Sequence, residues 1–379
     1  MRILFFLLFT LNFLFSQDSA YVRGVIKELT KKKYYGRGYT KNGLNKASDY
    51  LVKECKRNGA KPLFGLNYVQ PYQHPVNTYP GKMNVTINGK KLIPGRDFII
   101  KPSSGSVKAS FNFTKKDSVT YFAESNNAKC KIVLQKKLTY SVGTKLQFNE
   151  CEVQLLKSRF TDEIKTAKVN IDARFIPEFK TNNVGALIEG ENNDSIIIFT
   201  AHYDHLGGMG KKCFFPGAND NASGTAFVLN LMKHYAKNKP KYKTVFIFFS
   251  SEEAGLIGSK YFVENSPIPL SAVKFLINLD LLGTGDDGIM AVNGAILENQ
   301  FKLLEKINTE NKFVKEIKKR GKASNSDHYW FTEKGVPAFF IYTLGGVSFY
   351  HDIDDVEKTL PLTKYKEVFQ LITTFVNEL

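Results

Sequence analysis

The stretch Ser195-Ile196-Ile197-Ile198-Phe199-Thr200-Ala201-His202-Tyr203-Asp204-His205-Leu206-Gly207 decides how this chain folds. Its opening run shows no alternation of apolar and polar residues, so a strand formed from it is buried on both faces. Similar apolar runs return at residues 244–250, 274–280 and 338–342, separated by helical patterns at 225–236, 256–265 and 297–306. Buried strands alternating with amphipathic helices indicate an α/β fold, a mixed and largely parallel sheet with helices on both faces. Such sheets bind ligands beyond the carboxyl ends of their strands.

The polar residues worth weighing stand at those ends. His202 and Asp204 lie two apart on a strand end and so face the same side, where a carboxylate can orient an imidazole that ligates a metal; a histidine there can equally be hydrogen-bonded structure. Gly217-Ala218-Asn219-Asp220-Asn221-Ala222-Ser223-Gly224 opens a helix, and Asp220 or Asn221 also suits a helix cap. Ser251-Glu252-Glu253-Ala254-Gly255-Leu256 follows the next strand. Burying two adjacent carboxylates is costly without a cation, whereas in a solvated first helical turn they suit the dipole. Asp280 sits between Leu279 and Leu281, and His351 lies on the loop after the last strand.

His202, Asp220, Glu253, Asp280 and His351 supply nitrogen and oxygen donors of the type Zn²⁺ accepts, with Glu252 left over. Five donors exceed what one tetrahedral ion with an open position needs. They suit two ions sharing a bridging carboxylate, with the free glutamate as proton shuttle.

These blocks resemble the M28 zinc peptidases, among which bacterial aminopeptidases are common. The resemblance rests on Gly36-Arg37-Gly38 through Asp49-Tyr50-Leu51, His202 to Gly207, Asn219 to Gly224, Ser251 to Ser259, Asn278-Leu279-Asp280, Ser326-Asp327-His328 and Tyr350-His351. It implies the phosphorylase/hydrolase-like fold of zinc aminopeptidases and two Zn²⁺ ions. By the same resemblance His202 and Asp280 hold one ion, Glu253 and His351 the other, and Asp220 bridges them. Glu252 is then the general base and Asp204 the support of His202. The implied reaction is hydrolysis of the first peptide bond of a peptide with a free N-terminus. One departure is Ala323, where some aminopeptidases carry a tyrosine that helps the oxyanion. Glutaminyl cyclases share the fold with a single zinc, but typically carry Trp and Asp where this chain has Tyr350 and Ser326. A carboxypeptidase would want an arginine in the motif loops, and a non-catalytic receptor-like relative would lack ligands; neither pattern is present.

The rest of the chain frames this site. Its 379 residues exceed one comfortable core, and 43% hydrophobic with 23% charged residues excludes disorder, collagen-like fibre and a multi-span membrane protein. The net charge of +17 is uneven: residues 17–180 hold 31 basic and 13 acidic side chains, residues 181–379 hold 21 and 23. Residues 1–16, with Arg2 ahead of an apolar run, read as a signal peptide for a secreted or periplasmic protein with no transmembrane segment after its removal. Export argues against nucleic acid as the partner of the basic half and suggests an envelope surface instead. Residues 17–80 form the N-terminal part of the peptidase domain, 81–160 a small β-rich insertion, and 161–379 the catalytic domain. A helical pattern covers 21–60 and stops at Gly59, and residues 169–175 with 184–188 read as a hairpin. Cys55, Cys130, Cys151 and Cys213 leave two readings, a Cys130–Cys151 bridge or four buried thiols.

Overall fold

The computed structural model describes residues 19–146, 148–160 and 162–379, so the signal-peptide reading of residues 1–16 lies outside it. A nine-stranded sheet forms the centre. At its heart Tyr242–Phe249, Asn192–His202, Val273–Leu279 and Ala338–Thr343 run parallel in that spatial order. Arg174–Ile188 flanks this block antiparallel on one side, and Ile289–Val292 on the other.

Successive residues of the central strand serve opposite cores, which explains the unbroken apolar run. Ile197, Phe199 and Ala201 join a core built with the helices Ser19–Leu29, Gly43–Arg57, Gly224–Lys237, Glu298–Asn311 and Tyr365–Glu378. Ile196 and Ile198 join the other, with Phe262 of Ile257–Glu264 and Phe331 of His328–Glu333. Phe246 and Phe249 are fully buried in these two cores, and truncating either to alanine costs about 3–5 kcal/mol. The helical region 21–60 is two helices rather than one, because Tyr35 and Gly36 turn with positive φ between them.

The β-rich module extends further than residue 160. One of its sheets contains Met83–Ile87, Val107–Asn112 and Thr166–Ile171, the last pairing with both of the others. The second contains Phe98–Ile100, Thr120–Ser125, Ala128–Gln135 and Glu150–Leu156. The hairpin read at 169–188 is therefore not formed. The chain leaves the module after Ile171, and Arg174–Ile188 is one long strand of the main sheet. Asn183 is buried and donates to Gln70 Oε1 at 3.1 Å and the Gly258 carbonyl at 2.9 Å, so the strand continues where the hairpin would have turned.

All four cysteines are buried free thiols, Cys130 and Cys151 standing opposite each other on parallel strands. Leu206, Met209 and Phe215 of the main domain are buried in the module's own core, so the two parts share an apolar seam. Among the described residues no helix is long and apolar enough to cross a membrane.

Candidate functional site

The parallel strands end on one side of the sheet, and three of the four deliver an acidic or imidazole group there. His202 closes its strand, Glu252 and Glu253 follow Phe249, and Asp280 follows Leu279. The chain must turn sharply at these points. Ser251, Leu281 and His351 take φ of 60°, 52° and 56°, a left-handed conformation that costs a residue with a Cβ about 1 kcal/mol or more.

The loop 217–224 is bonded to the loop after Val273–Leu279 residue by residue. The Asn221 amide donates to the Leu279 carbonyl at 3.0 Å, Ser223 Oγ accepts from the Leu282 amide at 2.9 Å, and Asn219 Oδ1 accepts from Gly283 at 2.9 Å. A side chain at Gly224 would put its Cβ 2.4 Å from the Leu279 carbonyl oxygen. Asn221 also accepts the Gly224 amide at 2.9 Å. Of the two residues read as helix caps, then, Asn221 takes that work, and Asp220 is free to face the cluster.

His202 Nε2 lies 3.4 Å from Asp220 Oδ1 and 3.4 Å from Asp280 Oδ2. His351 Nε2 lies 3.3 Å from Asp220 Oδ2 and 3.2 Å from Glu253 Oε2. The two oxygens of Asp220 thus face two different groups. Donors about 2.0–2.1 Å from a tetrahedral zinc stand about 3.3–3.4 Å apart, so each histidine is spaced from its two carboxylate partners as a fellow ligand of one ion. Asp280 Oδ1 is buried with no hydrogen-bond partner among the described residues. The donor set, the spacing and this unpartnered oxygen fit zinc.

Glu252 also lies near His202 and Asp280, and His205 near Asp220 and Glu253. His205 Nδ1 is 2.7 Å from Glu253 Oε1, a hydrogen bond too short for two ligands of one ion. His205 therefore holds Glu253 in place, a role the sequence reading did not give it.

Each outer histidine presents Nε2 because a carbonyl takes Nδ1–H: Asp204 O at 3.2 Å for His202, and Tyr140 O at 2.7 Å for His351. The Asp204 carboxylate, expected to orient His202, is farther from it at 3.7 Å and instead accepts the amides of Glu252 and Glu253. Tyr140 belongs to the inserted stretch, so the module helps build the site.

Two further residues escaped the sequence reading. Asp355 accepts the amides of Asn219 and Asp220 at 2.8 and 3.1 Å. Arg37 is wholly buried and donates to the carbonyls of Tyr203, Pro216, Gly217 and Asp220 at 2.6–3.2 Å. Gly36-Arg37-Gly38 was visible as a motif, but its carbonyl targets come from distant loops. At Gly38 a Cβ would sit 2.3 Å from Gly207 Cα, which explains the glycine.

The electrostatics follow from this crowding. Burial opposes charge on His351, yet Glu253 and Asp220 push its pKa up to about 11, and His202 is likewise raised by Glu252 and Asp280 against burial. Burial pushes Glu252 well above the usual carboxylate range, with Asp327, Glu253 and Asp280 adding to it and His202 opposing. Asp327, from Ser326-Asp327-His328, is fully buried and is pushed up to about 7, first by burial.

The chain is similar to known proteins in sequence and in fold. Residues 183–376 match Peptidase family M28. The chain is 30% identical over 198 residues to aminopeptidase YwaD of Bacillus subtilis, covering 48% of this chain and 41% of that protein. It is 28% identical over 236 residues to a leucine aminopeptidase assigned as probable in Arthroderma otae, covering 57% and 61%. The chain spans between 20% and 61% of the length of such curated relatives. In fold it is similar to an aminopeptidase from Aneurinibacillus sp. strain AM-1, with TM-score 0.68 and 21% identity over 96% of this chain and 94% of that one. With the family match spanning half of its length, this chain belongs to peptidase family M28.

Proposed function

We propose that this protein is an exported di-zinc aminopeptidase that hydrolyses the first peptide bond of peptides with a free N-terminus. The carrying observation is the two-faced carboxylate of Asp220, each oxygen 3.3–3.4 Å from the Nε2 of a different histidine. A single-zinc cyclase would leave one of the two groups of donors without a purpose. Export rests on Arg2 and the apolar run behind it.

In this reading His202, Asp280 and Asp220 hold one ion, and Glu253, His351 and Asp220 the other. Bound there, the ions supply Lewis acidity and a water acidified towards neutral pKa. Glu252 is the one carboxylate of the cluster without a ligand role. It takes the proton of the attacking water and returns it to the leaving amine. A carboxylate of the cluster receives the protonated α-amine of the substrate. The site cavity, about 190 Å³, is also lined by Leu281, Phe340, Tyr342 and Tyr350, which suits one apolar side chain.

Release of free amino acids from aminoacyl-amides tests the proposal. Activity should disappear with a chelator and return with zinc; no release from any amide in zinc-loaded protein would reject it.

A further inference from the structure

The seam between the module and the main domain holds a groove of about 680 Å³, separate from the metal cluster. That volume falls within the roughly 300–1,000 Å³ of ligand sites. Its floor is apolar, made by Met83, Leu92 and Pro94 of the module with Met209, Phe214 and Ile353 of the main domain. Its rim carries Lys82, Lys91, Lys211 and Lys212, which make no ion pair among the described residues, and Arg96, which pairs with Asp354 at 3.4 Å. Asp172 lies close by, accepting the Lys82 backbone amide at 2.8 Å. The unpaired charge is therefore positive over an apolar base.

This groove adjoins the site through one loop. Ile353 lies two residues beyond His351, a Cα separation of at most about 7 Å. The module braces the same loop, Lys137 Nζ donating to the Ser348 carbonyl at 3.0 Å. A polysaccharide would set hydroxyls against the apolar floor, whereas a peptide leaving the adjoining site can offer apolar side chains to it and carboxylates to the rim.

We propose that the groove docks the downstream part of a peptide substrate, a short acidic segment carrying apolar side chains. As a substrate site it rests on the aminopeptidase reading, but binding is measurable without turnover. The probe is a fluorescein-labelled, N-acetylated decapeptide of alternating glutamate and leucine, followed by anisotropy with the zinc-loaded protein.

The combined variant Lys82→Glu, Lys91→Glu, Lys211→Glu, Lys212→Glu should weaken binding at least tenfold, and the milder set of Lys→Gln changes should do so in part. Reversing Lys237, Lys302, Lys312 and Lys334, outside the groove, should leave binding unchanged. A decapeptide of glutamate and serine should bind at least tenfold more weakly than the leucine form. With free N-termini, the acidic decapeptide should show a KM at least tenfold below that of a lysine counterpart, and the rim reversal should erase the difference. Equal binding of the serine peptide would reduce the groove to a general anion patch and overturn the proposal, as would equal effects of the two reversals. If amides and peptides alike are not hydrolysed, the aminopeptidase reading fails, while anisotropy still decides whether the groove takes the peptide. Binding without the KM difference would show a separate peptide-docking site and overturn the substrate assignment.

Discussion

Asp204 Oδ1 accepts the amide N–H of Glu252 at 3.1 Å while its Oδ2 accepts that of Glu253 at 3.3 Å, so one buried carboxylate fixes both glutamates. Its backbone carbonyl meanwhile orients His202. In Asp204→Asn, one amide N–H must face an NH₂ group, leaving two donors opposed. An unsatisfied buried donor costs about 1–3 kcal/mol, and losing such outer support lowers metal affinity by about 10–100-fold. Zinc titration of the variant against a fluorescent chelator checks this. Unchanged affinity and turnover would show that the carboxylate does not position the glutamates.

The two glutamates separate by a pair of variants. Glu252→Gln should keep both ions and lose roughly 10²–10⁴ in kcat, the usual contribution of a positioned acid–base group. Glu253→Gln should lose an ion, because Glu253 Oε2 stands at ligand spacing from His351. Metal analysis beside kinetics decides, and the opposite pattern would exchange the two roles.

Most of this site was legible in the sequence for a physical reason. Buried parallel strands are long apolar runs, and a charged residue at the end of one stands out against them. His202, Glu252, Glu253 and Asp280 were found in that way. Asp355 and Arg37 were hidden because they act on backbone groups, and a carbonyl carries no sequence signal. Tyr140 was the hardest to see: only its carbonyl serves His351, so its side chain, stacked on Phe215 at 4.6 Å, explains the residue but not the role. The module's end was misplaced because Thr166–Ile171 and the strand after it share one β-like pattern, and only pairing assigns them to different sheets.

Metal-free protein should be more stable at mildly acidic than at alkaline pH. Burial is the first cause that pushes Asp327 up to about 7 and Asp355 up to about 6, and the site carboxylates hold His351 at about 11 against burial. Each group keeps its proton longer folded than unfolded. Stability therefore falls as pH rises, from about 4 to 7 for the two carboxyls and from about 6.5 to 11 for His351. Glu253, lowered to about 2 by His351 and His205 against burial, and His328, lowered to about 4 by burial, act oppositely, their contributions fading as pH drops below 4.5 and 6.5. Zinc held by His351 would compete with the proton on that ring, so its affinity should rise with pH. Thermal melting of chelated protein should give a lower Tm at pH 8 than at pH 5.5, and excess zinc should flatten or reverse the difference. A Tm independent of pH without metal would contradict these shifts.

The substrate's own end gives the sharpest test of the reaction. Asp220, Glu252, Glu253 and Asp280 converge on the cavity, and although two divalent ions would balance their four charges, a carboxylate oxygen not used by an ion can accept hydrogen bonds from a protonated α-amine. Acetylation removes that charge and adds bulk where the carboxylates meet. Hydrogen bonds to a charged group are worth about 1.5–3 kcal/mol, so the N-acetyl form of a leucyl dipeptide should be cut at least about tenfold more slowly than the free form. Amidating the other end should change little, because the described residues lining the cavity are mostly carboxylates, imidazoles and aromatic rings, with no arginine among them to grip a terminal carboxylate. Comparing kcat/KM for the three forms separates the readings. Loss with the amide alone would indicate a carboxypeptidase, pyroglutamate from an N-terminal glutamine peptide a cyclase, and equal cleavage of the acetyl form would remove the aminopeptidase assignment.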